Sequence, residues 1–117
     1  LTIADQNRLN IQSSVINDTD NDGEDELVAT FNEPVDPSTI STGAFTILRN
    51  SSPLSGVIES VESQYFDGEE VVLELGDGYT PNDGAGNDEL RANTGGVTDL
   101  AGIGIDDDSN ANVVNIP

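Results

Sequence analysis

Histidine, lysine, cysteine, methionine and tryptophan are all missing from these 117 residues, and only Arg8, Arg49 and Arg91 carry positive charge. Each absence excludes something. Without cysteine there is no disulfide, and the redox compartment cannot be read from the chain. Without lysine there is no Lys–Asn isopeptide crosslink. Without His, Cys or Lys the common bases and nucleophiles of covalent catalysis are gone. Paired carboxylates alone can hydrolyse glycosides, but such sites sit in clefts with aromatic platforms. Here there is no Trp, and Tyr65 and Tyr79 are the only tyrosines. The composition therefore points away from an enzyme. Phosphate recognition needs clustered Lys or Arg, so nucleic acid and anionic membrane surfaces are excluded as partners. No apolar run is long enough to span a bilayer, so no direct membrane insertion is expected. There is no initiator Met and no signal peptide, and Leu1 reads as the start of a mature or excised segment.

What the chain has in abundance is carboxylate: 23 Asp and Glu, for a formal net charge of −20. A surface of this kind attracts cations and repels itself, which destabilises the compact state in dilute buffer. Molar salt relieves the repulsion by shrinking the Debye length to about 3 Å. Divalent ions held between carboxylates relieve it directly. The apolar residues fall in alternating, β-branched runs, unlike those of disordered acidic chains.

The pattern is β throughout, with a period of two. "RLNIQSSVI" sets Leu9, Ile11, Ser13 and Val15 on one side. "ELVATFN" aligns Leu27, Ala29 and Phe31, and "AFTIL" aligns Phe45 and Ile47. "LSGVIESVES" reads as one strand carrying Val57, Ile58 and Val61. "EVVLEL" aligns Val71, Leu73 and Leu75, and "ANVVNI" offers Val113 and Ile116. Asp-Gly pairs at 22–23, 67–68, 77–78 and 83–84 are turn signals. Pro34, Pro37, Pro53 and Pro81 mark loops or strand edges. In "DPSTIS", Asp36 is placed to N-cap a single helical turn with Pro37 at its first position. About seven short strands separated by turns predict an all-β, antiparallel sandwich. The length predicts one domain over 1–117, with a core spanning about 9–116. Residues 1–7 read as a peripheral linker or inter-subunit strand.

Two phrases carry a resemblance. In "ELVATFNEPVDPSTISTGAFTI", residues Thr30, Phe31, Glu33, Pro34, Val35, Asp36, Thr39, Ile40, Phe45 and Ile47 follow a "TFSEPVD" phrase, a P-x-T-I/V turn and an F-x-I/V strand. In "GGVTDLAGIGI", residues Val97, Asp99, Leu100, Ala101 and Gly102 follow a "gVtDlaGN" phrase, with Ile103 where Asn is usual. The chain resembles the bacterial Ig-like domains of surface and S-layer proteins (the S-layer type, family 5) over roughly residues 9 to 116. The resemblance implies an Ig-like sandwich in a secreted or cell-surface protein, acting in tandem as a spacer, adhesion or assembly unit. It implies no catalytic residues, and a fold of this kind does not by itself fix a function.

The acidic loops are the candidate sites. "DTDNDGEDE" opens like a calcium loop, with Asp18, Asp20 and Asp22 at alternate positions and Gly23 next. Glu24 and Glu26 could add oxygens. The twelfth position is Ala29 where an EF-hand needs a bidentate Glu, and the flanks read as strands, so this is not an EF-hand. A second oxygen-rich stretch, "GDGYTPNDGAGNDEL", supplies Asp83, Asn87 and Asp88 as candidate calcium ligands. "DDDSN" at 106–110 is a third charge run. The competing reading for each is a solvated acidic loop. Asn17-Asp18-Thr19 and Asn50-Ser51-Ser52 match N-glycosylation acceptors.

These features lead to a non-catalytic structural module of an exported cell-surface protein, stabilised by calcium, adapted to high salt, or both. Its expected partners are neighbouring domains or identical subunits, together with calcium ions. One alternative is a subunit of an extracellular filament, in which "LTIADQ" or "NVVNIP" adds a strand to a neighbour's sheet. Another is a glycan- or ligand-binding module.

Overall fold

The computed structural model describes residues 9–17, 25–63, 66–76, 79–82, 86–93, 96–105 and 112–117. Eight strands form two four-stranded antiparallel sheets. They are β1 (Ile11–Asn17), β2 (Glu26–Phe31), β3 (Phe45–Arg49), β4 (Ser52–Leu54), β5 (Ile58–Val61), β6 (Glu70–Leu75), β7 (Asp88–Ala92) and β8 (Val113–Asn115). The first sheet has the order β1-β2-β6-β5 and the second β4-β3-β7-β8. This is the immunoglobulin-like arrangement, ABED facing CFG, with β4 added at the edge beside strand C.

The core lies between the sheets. Leu27, Ala29 and Phe31 of β2 and Val71, Leu73 and Leu75 of β6 face Ile47 of β3 and Leu90 of β7 in one buried cluster. These runs keep their alternation because each strand has neighbours on both sides, so a one-residue slip would turn the apolar set outward. Phe31 and Phe45 meet edge to face across the sandwich, with ring centroids 6.3 Å apart, a contact that adds about 1 kcal/mol beyond burial.

The edge strands depart from simple alternation. A register shift between Ile11 and Ser13 in β1 turns the chain over. Leu9 and Ile11 face the core, then Ser14 and Ile16 pair with the core-facing Ala29 and Leu27. Val15, expected beside Leu9 and Ile11, is 50% exposed. An extra residue on one strand of a ladder has this effect. Likewise Val114, not Val113, pairs with Leu90 and packs on the core.

The stretch expected as one strand over 54–63 is two. β4 belongs to one sheet and β5 to the other, and Gly56 between them has φ +72°. A left-handed residue there turns the chain from sheet to sheet at low steric cost because glycine has no Cβ.

The strands also fix two poles. At the proximal pole Ile11 lies opposite Phe31, and Phe45 opposite Ala92. At the distal pole Asn17 lies opposite Glu26, and Arg49 opposite Asp88. β1 rises from the proximal pole. β8 rises beside it and delivers Ile116 to the distal pole, where its N–H donates to Asp88 O at 2.9 Å. Ser14 Oγ donates to Asn115 O at 2.8 Å across the seam between these two edge strands.

Candidate functional site

Of the candidate cation ligands, Asp18, Asp20, Asp22, Glu24 and Asp83 lie outside the described residues, as do the third charge run and the Asp-Gly pairs other than 67–68. Glu26, Asn87 and Asp88 are placed at the distal pole, Glu26 on β2 in one sheet, Asp88 on β7 in the other and Asn87 just before β7.

Asp88 opens β7 with its side chain turned inward and fully buried (0% exposed). Grouped by sequence with cation ligands, it is the centre of a polar knot. Arg49, directly opposite on β3, grips it with two bonds, Nε to Oδ1 at 2.8 Å and Nη2 to Oδ2 at 2.9 Å. Tyr79 OH donates to Oδ2 at 2.6 Å and the Asn82 amide at 2.9 Å. Four donors thus occupy the two oxygens. Bidentate arginine is the strongest charge-assisted pairing available to a carboxylate. It holds the Asp88 carboxyl down at about 2, assisted by Tyr79 and Asn82, against a burial effect that acts the other way. Burial, and then the hydrogen bond to Asp88, pushes the Tyr79 hydroxyl well above the usual tyrosine range.

The knot extends to the backbone. Arg49 Nη2 also donates to Thr80 O at 2.8 Å, and the guanidinium lies 5.8 Å from the Tyr79 ring centroid. Asn82 takes up a left-handed conformation (φ +56°). Its Oδ1 accepts from Asp88 N at 2.7 Å, and its Nδ2 donates to Ile116 O at 2.9 Å. The Ile116 peptide is therefore held on both sides. Asn87 is exposed, and its N–H donates to Asn50 Oδ1 at 3.1 Å. Asn50, the acceptor position of a glycosylation triplet, sits exposed with Ser51 in a two-residue turn, at φ +52° and +69°. Two successive left-handed residues suit the tight β3–β4 hairpin.

Compared with protein-family models, curated proteins and solved structures, the chain matches none.

Glu26 begins β2 directly opposite Glu74 of β6, and the two are 0% and 5% exposed. Among the described residues, no three acidic side chains converge as a metal site would require.

At the proximal pole the two family-like phrases meet. Val35 bridges Asp99, and Asp36 N donates to Thr98 O at 2.9 Å. Asp36 Oδ1 accepts from Ser38 N at 3.0 Å and caps the 3-10 turn Pro37–Thr39, as its spacing from Pro37 predicts. Asp99 Oδ1 accepts the amides of Ala101 and Ile103, both at 2.9 Å. Gly102, at φ +83°, closes the same loop.

Sequence reasoning missed Arg49, Tyr79 and Asn82. A signal for Arg49 was present. In a chain with three cations among 23 carboxylates, Arg49 closes the apolar run of β3, a position that favours pairing with a carboxylate.

Proposed function

We propose that the chain is a non-catalytic structural module of an exported cell-surface protein, one link in a string of domains. One observation carries this reading: β1 takes the chain in at the proximal pole and β8 takes it out at the distal pole, where the last residues are clamped. A module threaded from end to end transmits position between its neighbours. The resemblance to surface Ig-like domains supports the setting, and the absence of the usual nucleophiles and bases supports the lack of chemistry.

Strand addition to a neighbour is the weaker reading. It needs a straight, open edge. Here β1 and β5 carry register shifts, β4 carries Pro53, and β8 has three residues.

Calcium belongs to the proposal at the distal pole. A cation held by Asp18, Asp20, Asp22, Glu24 and Glu26 would offset part of the self-repulsion of a chain at −20. Protease treatment of intact cells, followed by mass spectrometry, tests the setting. Peptides of this chain released before lysis support it; peptides released only after lysis overturn it. Thermal melts in calcium, in EDTA and in molar NaCl test the ion. A higher midpoint in calcium than in EDTA is expected, and identical curves remove calcium from the reading. Rescue by salt alone leaves adaptation to high salt.

A further inference from the structure

β1 and β8 both run from the proximal pole to the distal one, and each is an edge strand paired on one side only. They are the strands that meet a pull applied along the chain. The ladder bonds of an antiparallel pair lie perpendicular to the strands. A pull along β1 or β8 therefore loads all the bonds of a ladder together, whereas a pull across the sheet opens them one pair at a time. β1 has six residues in register with β2, and β8 has three in register with β7. By strand length alone, β8 is the weaker of the two.

The distal knot offsets this weakness. Just past the ladder, Ile116 N donates to Asp88 O and Ile116 O accepts from Asn82 Nδ2, both at 2.9 Å. Asn82 is itself fixed. Its Oδ1 accepts from Asp88 N at 2.7 Å, and its own N–H donates to Asp88 Oδ2 at 2.9 Å. Asp88 is in turn gripped through two bonds by Arg49 of β3. The last hold on the exit strand thus leads through Asn82 and Asp88 into β3, on the far side of β7. The Ile116 side chain is buried in the core, so sliding β8 outward has to draw apolar surface into water.

We infer that the knot of Arg49, Asp88 and Asn82 is a tension latch, which holds the exit strand β8 against a pull along the polypeptide. Such a pull has to break the latch and the β8 ladder together before β8 can slide. Resistance of this kind is a property of the single domain. The load it meets in use rests on the string-of-domains reading. A latch at the exit makes the module a load-bearing link rather than a passive spacer.

The test is single-molecule force spectroscopy on the purified chain. Handles at the two chain ends pull along β1 and β8. Moving one handle to Ser52→Cys, a unique thiol in a chain without cysteine, pulls across the second sheet from its β4 edge to β8 and leaves the latch intact. The end-to-end pull is expected to need a several-fold higher force and to open the domain in one step. Asn82→Gly tolerates the left-handed backbone and removes both side-chain bonds. It should raise the end-to-end unfolding rate at fixed force about tenfold, the scale of a lost hydrogen bond. It should also add an early step that frees the segment from Asn93 to Pro117, at ~3.6 Å per residue. Equal forces in the two directions, a first step that frees β1 instead, or an Asn82→Gly chain that opens in one step at the wild-type rate overturns the latch. None of these outcomes bears on where the protein sits, which protease release from intact cells decides separately.

Discussion

At the distal pole one carboxylate, Asp88, is buried against a guanidinium, a phenol and an amide. At the proximal pole Asp99 and Asp36 accept backbone N–H groups of their own loops. The first is a long-range ion pair, joining residues 39 apart in sequence. The second is local turn chemistry, with acceptor and donor two to four residues apart. Long-range pairing makes the distal pole depend on the whole sandwich being assembled. Local capping shapes each proximal loop, and backbone bonds such as Asp36 N to Thr98 O then join the loops to one another. An acidic chain with few cations can close one end with charge, and it closes the other with backbone amides.

The largest loss of stability is expected for Arg49→Met. It leaves Asp88 buried without its counter-charge, and breaking such a pair should cost about 3 kcal/mol. Urea denaturation should show the midpoint falling with the slope unchanged. A loss within error of zero would mean that Tyr79 and Asn82 suffice.

Acid titration comes next. The folded-state pKa of Asp88 is depressed to about 2 from 3.8. Its stabilisation is therefore fully present above the unfolded value, and it is lost as pH falls from about 4 through about 2. The shift corresponds to about 2 kcal/mol. The difference in unfolding free energy between wild type and Asp88→Asn, measured from pH 5 to pH 2, should shrink over that window. A constant difference would contradict the assignment.

At the proximal pole Asp99→Ala removes the acceptor for two amides and should cost about 1–2 kcal/mol. Its effect should be independent of the Arg49 substitution, because distant sites add. A coupling of more than about 0.5 kcal/mol in the double variant would show that the poles communicate. The smallest effect is expected for Asp36→Ala, about 1 kcal/mol for a lost cap, with faster amide exchange at Ser38 as the local readout.

Much of this frame was legible in the sequence. β2, β3 and β6 follow their alternation on the core face because each is paired on both sides. The Asp36–Pro37 cap was also legible, since its donor and acceptor are two residues apart. What could not be read depends on distance or on edges. The bulge in β1 reverses the faces of Ser13, Ser14, Val15 and Ile16 without changing composition. Gly56 sends a seemingly continuous strand into the opposite sheet. Asp88 reads as one more loop carboxylate until Arg49 is folded against it. Of the calcium candidates, the described ones resolve into a buried ion-paired aspartate, an exposed asparagine and a glutamate facing another glutamate.

Gly96 lies where the chain leaving β7 passes the short turn before β3. A Cβ built on it would stand 2.7 Å from Ala44 Cα and 2.9 Å from Ala44 Cβ. The nearer of those atoms is main chain. Trimming Ala44 to glycine would remove the methyl and leave the collision. The pair therefore cannot exchange volume as neighbouring core residues do, and an engineer or a drifting lineage has no compensating substitution at this crossing. Position 96 records a fixed separation between two backbones, and any redesign of the domain must keep hydrogen there or move a strand.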